Sequence, residues 1–169
     1  MTDIPQIKTQ RLVMRGPVEA DFESYATFYT SDATEFISGP LTLVDAWQMF
    51  ASDAGHWALK GFGWWTVTEN DRPVGCVGLH HPPDHDDIEI GWNVYEGARG
   101  RGIAGEAANA ALLWAGKNLR GRPIVSYIAD GNTASIALAL RLGATKRSER
   151  SSHNAENAIY AHDMTRYAI

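Results

Sequence analysis

Hydrophobic and polar residues follow two rhythms along this chain, and the changes between them mark out its elements. Arg11-Leu-Val-Met-Arg15 alternates with period two and predicts a first strand. Pro17 then opens a helix carrying Phe22, Tyr25, Ala26 and Tyr29 on one face. A second helix follows Leu43, with Trp47, Phe50, Ala51, Ala54 and Ala58 at helical spacing. Gly63–Thr68 and Pro73–Leu79 flank the turn cluster Glu69-Asn-Asp-Arg72 and predict a hairpin. The polar loop His80–Asp87 leads into a strand over Ile88–Val94. A helix from about Gly102 to Asn118 follows, then a strand over Pro123–Ala129. A short helix over Thr133–Leu142 stops at Gly143, a natural residue just past a helix end. Strands near Ala144–Arg150 and Ala158–Thr165 finish the pattern.

The order β-α-α-β-β-β-α-β-α-β-β predicts a mixed α/β (α+β) domain, mostly antiparallel in its first half, with one βαβ crossover in the middle. No repeat, low-complexity tract or linker-like shift divides the 169 residues, so a single domain over 1–169 is expected. Hydrophobic content of 44% and charged content of 21% fit a soluble globular chain. A net charge of −5 argues against a nucleic-acid binder, which needs a basic face. Cys76 is the only cysteine, which excludes an internal disulfide and suits a reducing compartment; in its strand it reads as a small buried residue. No run of about 18 apolar residues spans a membrane, and the first residues lack the features of a signal peptide. A cytoplasmic protein with no membrane partner is expected.

The chemistry concentrates after the Ile88–Val94 strand, in Arg99-Gly-Arg-Gly-Ile-Ala104. A helix start offers unpaired N–H groups and the positive end of the macrodipole, and glycine lets that backbone approach an anion closely. Two arginines at that end are unfavourable unless an anion joins them, which points to a pyrophosphate. A P-loop fails, because Gly102-Ile-Ala stands where Gly-Lys-Ser/Thr is needed. Gly100-Arg-Gly-Ile-Ala-Gly105 matches the dinucleotide fingerprint literally and keeps an NAD-dependent oxidoreductase as an alternative. Against it, Tyr95–Ala98 separate strand from motif, and no acid stands about 20 positions onward.

The pattern Arg-x-x-Gly-x-Ala formed by Arg99, Gly102 and Ala104 resembles the coenzyme A signature of the GNAT acetyltransferases, and the resemblance extends over nearly the whole chain. Thr9–Arg15 and Ile88-Glu-Ile-Gly-Trp92 look like the branch that acetylates ribosomal-protein N-termini, which also holds acetyltransferases of small amines. The resemblance implies a sheet of about seven strands flanked by four helices and splayed between the fourth and fifth strands. It implies that the amides of Gly100, Arg101, Gly102, Ile103, Ala104 and Gly105 hold the pyrophosphate of acetyl-CoA, with the Arg99 and Arg101 side chains nearby. The strand end at Trp92, Asn93 and Val94 would bind the pantetheine arm as a peptide extends a sheet. Asn132-x-x-Ser135 resembles the second family motif, in which the asparagine binds pantetheine and the serine faces the thiol. Asn132 also reads simply as an N-cap. The usual Gly-Phe that ends this motif is Gly143-Ala144 here, and the last helix has no tyrosine to protonate the thiolate, so Ser135 takes that role.

An acceptor ammonium has no lone pair and needs a base. Strand alternation puts Glu89 on one face with Gly91 and Asn93, where glycine leaves space, and the position suits the base of several family members. Glu149 is the alternative base. By analogy the acceptor groove lies between Ser31–Pro40 and Ser151–Asn157. Trp64, Trp65 and Tyr160 are candidate linings, and Asp32, Glu35 and Glu156 would draw a cation. The loop His80–Asp87 holds adequate metal ligands, but acetyl transfer needs no metal, and a solvated loop is expected. The implied function is transfer of acetyl from acetyl-CoA to a primary amine of a small molecule or protein N-terminus. A coenzyme A-binding protein or another acyltransferase of this fold is the alternative. Dimers occur in that branch, so a homodimer is within its range; the sequence marks no interface.

Overall fold

The computed structural model describes residues 3–168. Alternating segments pair into one eight-stranded sheet of order β1-β2-β3-β4-β5-β6-β8-β7. Its strands are β1 (Ile7–Lys8), β2 (Val13–Arg15), β3 (Trp64–Glu69), β4 (Arg72–His80), β5 (Ile88–Val94), β6 (Ile124–Ala129), β7 (Ala144–Arg150) and β8 (Asn157–His162). The α-helices are α1 (Phe22–Tyr29), α2 (Leu43–Lys60), α3 (Ile103–Asn118) and α4 (Thr133–Arg141). The β3–β4 hairpin turns at Asn70 and Asp71, both with positive φ (50° and 62°), as a two-residue loop matched to strand twist requires.

Several boundaries move from the sequence expectation. β1 is a two-residue strand too short for any periodicity to reveal. The helix expected at Pro17 begins at Phe22, after a 3-10 turn over Glu19–Asp21. The last strand stops at His162, because the Asp163 side chain accepts from the Thr165 N–H and starts a 3-10 turn over Met164–Tyr167. α2 is helical as expected but turned about its axis. It buries Ala46, Phe50, Asp53, His56 and Trp57, while Trp47, Ala51 and Ala58 face outward.

Even-numbered β5 residues Ile88 and Ile90 pack in the main core with α3, whose small inward residues Ala107, Ala108, Ala111 and Ala115 let helix and sheet approach closely. Odd-numbered Asn93 faces a second cluster built from α1, α2 and Cys76. A third cluster lies under α4, against β6 and β8.

Among the described residues the sheet has one parallel contact, and it is short. β5 and β6 share two registered pairs, Ile88↔Ile124 and Glu89↔Val125, and then separate. The expected splay is therefore present, and the regular parallel sheet of a dinucleotide-binding domain is not. At the point of parting the Ser126 hydroxyl donates to the Ile90 carbonyl (2.9 Å) and accepts from His162 Nε2 (3.0 Å). A side chain thus replaces the next ladder bond. Ser126→Ala is expected to lower stability by about 1–3 kcal/mol in urea unfolding, since it orphans a buried carbonyl and a buried ring N–H.

Candidate active site

The splay opens a cleft of about 450 Å³ that passes through the plane of the sheet. On the α1–α2 side it meets Glu89, Trp64 and Asp53; on the α4 side it meets Trp92, Asn132 and Ser135. One opening thus joins a face carrying a carboxylate to a face carrying a hydroxyl.

Backbone direction along β5 follows from three bonds. The Tyr95 N–H donates to the Val74 carbonyl of β4, whereas the Ile90 and Val94 carbonyls accept from Ser126 and Arg99 on the other side. Alternation therefore aims the Trp92 N–H and C=O into the gap and turns the backbone of Asn93 toward β4. The Asn93 side chain is buried as well, donating to Tyr29 Oη (2.9 Å) and lying 3.7 Å from Cys76 Sγ. Of the expected trio, the gap receives the backbone of Trp92 and Val94, while Asn93 supports the strand from behind.

Gly102, in the left-handed region at φ 77°, caps α3 with no side-chain bond, and Gly100 has φ 73°. The first intrahelical bond runs from Glu106 N–H to the Gly102 carbonyl, so the amides of Ile103, Ala104 and Gly105 have no partner within the helix. A Cβ on Gly105 would lie 3.5 Å from Leu138 of α4, which sets this helix mouth beside α4. The arginines are placed differently from the sequence expectation. Arg99 is exposed, donates to the Val94 carbonyl (3.2 Å) and lies over the Phe28 ring. Arg101 is already neutralised, with its guanidinium 2.6 Å from Glu69. A third guanidinium, Arg11, donates to the Arg101 carbonyl and pairs with Glu106 in the first turn of α3. Arg101 thus contributes backbone to the helix mouth rather than free charge. Arg11 and Glu69 carried no signal, because they reach the motif from distant parts of the chain, the β1–β2 connection and the end of β3.

Asn132 caps α4 by accepting from Ser135 N–H (3.2 Å). The Trp92 indole N–H donates to Ser135 Oγ (3.3 Å), which leaves the serine's own proton to be donated elsewhere. Glu89 lines the cleft, with Oε2 3.0 Å from His85 Nε2. Glu149 does not join them; it lies exposed on β7, 3.9 Å from Arg147.

The space expected beside Gly91 is filled. Trp64 lies across Gly78 and Gly91, and a Cβ on Gly91 would come within 2.6 Å of the indole. Trp65 is fully buried against Trp57 and Trp114, and Tyr160 is buried under α4, so Trp64 alone of the three expected aromatics lines the cleft. The segments 31–40 and 151–157 do flank the opening, through Phe36, Ile37, His153 and Asn154. Phe36 leans over Gly131, where a Cβ would meet its ring at 2.9 Å. Glu35 and Glu156 line a shallower neighbouring cleft, and Asp32 lines neither.

Two features of the floor escaped the sequence reading. Burial raises Asp53 to about 7, although Tyr25 Oη donates to it at 2.8 Å. The loop expected in solvent instead folds His80 and His85 into the cleft wall. Burial, helped by the neighbouring His56 and His85, lowers His80 to about 4. Cys76 is buried as expected, and burial pushes its thiol up to about 12, far from a nucleophile's range. Among the described residues no three His, Cys, Asp or Glu side chains converge as metal ligands, and no helix is long and apolar enough to cross a membrane.

Residues 11–145 match the family model described as "Acetyltransferase (GNAT) domain". An acetyltransferase from Agrobacterium tumefaciens is 34% identical, with a TM-score of 0.88 and 95% of each chain covered. The ribosomal-protein α-N-acetyltransferase RimL, solved with coenzyme A, shares 16% identity over 94% of this chain and 97% of its own, at a TM-score of 0.74. The self-immunity acetyltransferase MccE, solved with acetyl-CoA and AMP, shares 17% identity over 90% of this chain and 92% of its own, at 0.72. The two latter likenesses show a common fold.

Proposed function

The chain belongs to the GNAT acetyltransferase family, and we propose that it transfers acetyl from acetyl-CoA directly to a primary amine, as one catalytic domain acting in the cytoplasm. One observation carries this reading: the splay between β5 and β6 opens one cleft lined by Trp92, whose backbone is free, and by the Glu89 carboxylate, while the unpaired amides at the mouth of α3 lie beside α4, whose Asn132 and Ser135 also line that cleft.

The residues present suit acetyl-CoA. Amides of Ile103, Ala104 and Gly105, with Gly100 and Gly102 shaping the turn, bind the diphosphate at the positive end of α3. Arg99, exposed beside them, adds charge. The pantetheine arm takes the bonds β6 leaves unmade, at Trp92 and Val94, and passes the capped start of α4 at Asn132. An amide N–H of β5 also polarises the thioester carbonyl. Glu89 accepts a proton from the acceptor ammonium, and the freed nitrogen attacks the carbonyl carbon. The C–S bond breaks, and Ser135 supplies a proton to the departing thiolate, directly or through water.

The acceptor enters from the α1–α2 side, where Phe36, Ile37, Trp64 and the Asp53 carboxyl form the wall. That lining suits an amine on an apolar or aromatic body, whether a small molecule or a protein N-terminus. Stabilisation by acetyl-CoA but not NAD in thermal shift, followed by thiol release against an amine library that includes N-terminal peptides, tests the reading and picks the acceptor. Arg99→Ala is expected to raise the KM for acetyl-CoA about 10-fold with kcat nearly unchanged, because the contact is the same in ground and transition states. An unchanged KM would remove Arg99 from the diphosphate site.

A further inference from the structure

His85 is the one loop residue whose two ring nitrogens each reach a carboxylate. Nε2 stands 3.0 Å from Glu89 Oε2 and Nδ1 stands 3.1 Å from Asp84 Oδ1. The His85 side chain is only 9% exposed, whereas Asp84 is 65% exposed and Glu89, at 22%, lines the cleft. A single imidazole therefore bridges the cleft and bulk water. Its orientation is clamped: the His153 ring stacks on it at 3.9 Å, and Tyr127 and His80 meet it edge to face at 5.1 and 5.6 Å.

The groups facing this ring differ in what they do to its charge. Burial pulls His85 down, but the bonds to Glu89 and Asp84 outweigh it and hold the ring above its usual value. His153, from the β7–β8 loop, is lowered by burial and by His85 itself, and His80, from β4, is lowered by burial. Burial raises Tyr127, from β6, which therefore stays neutral, and Asp86 is held by the Ser152 hydroxyl at 2.6 Å. Of the imidazoles in contact, His85 is the one built to take a proton.

We propose that His85 is a proton-relay residue: it receives from Glu89 the proton that Glu89 removes from the acceptor ammonium, and passes it to solvent past Asp84. This rests on the acetyl-transfer reading above. The ammonium N–H bond breaks and an O–H bond forms on Glu89. That proton moves to Nε2 of a neutral His85 whose Nδ1–H is held by Asp84. The Glu89 carboxylate is restored, and the imidazolium lies between two carboxylates. It then releases a proton to water beside Asp84, and tautomer exchange resets the ring. The acceptor nitrogen keeps its electron pair for the thioester. Because His85 acts through Glu89, its signature is a pH dependence.

The test combines NMR titration of the His85 ring with pH–rate profiles of the wild type and His85→Gln, using the acceptor selected by the thiol-release screen. The expected kcat/KM rises with pH through the same pKa that NMR assigns to His85, and Glu89→Gln lowers that pKa. His85→Gln is expected to lose about 100-fold at pH 7, the gap closing toward the amine's own pKa, with acetyl-CoA affinity by calorimetry unchanged. A wild-type profile in His85→Gln, or a His85 pKa at or below the ordinary value, overturns the relay. If that variant loses acetyl-CoA binding, the wild type alone decides: coincident kinetic and NMR values support the relay and divergent ones overturn it. A wild type that binds no acetyl-CoA defeats the transferase reading first, and the relay with it.

Discussion

Glu89→Gln is expected to lower kcat at pH 7 by about 10²–10³-fold while leaving acetyl-CoA affinity unchanged. Glutamine keeps the size of the side chain and can still bond His85, so the loss reports the proton-accepting oxygen rather than packing. Glu89 is the carboxylate that meets the cleft on the α1–α2 side with a route to water, while Asp53 is buried, raised to about 7 and bonded to Tyr25. The deficit is expected to shrink as pH rises toward the pKa of the acceptor, where amine arrives already deprotonated. A loss that is flat across pH would mean that the glutamate positions the acceptor, and an unchanged rate would reduce it to an ion-pair partner of His85. Steady-state kinetics from pH 6 to 9.5 with the screened acceptor separate these results.

Acidification from pH 6.5 to 4 is expected to remove about 3 kcal/mol of folding stability through His162 alone. This ring is 6% exposed; its Nε2–H is given to Ser126, and Nδ1 has no partner among the described residues. Burial lowers its pKa to about 4. The folded protein therefore holds the neutral ring, while the unfolded chain binds a proton near pH 6.5. Its contribution is complete above that value and falls as pH drops toward 4, below which both states are protonated. Urea unfolding at pH 7, 5.5 and 4 measures the slope. His162→Gln, which retains a donor for Ser126 but does not titrate, is expected to flatten it by that amount. His80, also at about 4, leaves a residual slope. An equal slope in wild type and His162→Gln would show that the ring is hydrated in solution. The location gives the titration a second effect, since His162 and Ser126 seal the ladder where β5 and β6 part, so acid is expected to loosen the cleft before the outer strands.

Spacing alone determined the helices, most strands, the hairpin at Asn70-Asp71 and the glycine-capped mouth of α3, because each depends on neighbours within a turn or two of chain. The family resemblance added the splay and the pairing of Asn132 with Ser135. Alternation, a local property of a strand, put Glu89 on the face that lines the cleft, and the family resemblance singled out its position before Arg99. Tertiary structure alone decided which face of α2 is buried, hence the presence of Asp53 in the floor, because several helix faces were comparably apolar and packing chose among them. It also gave Arg101 to Glu69, filled the space beside Gly91 with Trp64, turned Asn93 away from the gap, and folded His85 onto Glu89 and His153. Most of these contacts join residues tens of positions apart, where no periodicity reaches. Charge and shape complementarity between elements packed on the folded sheet are what select them.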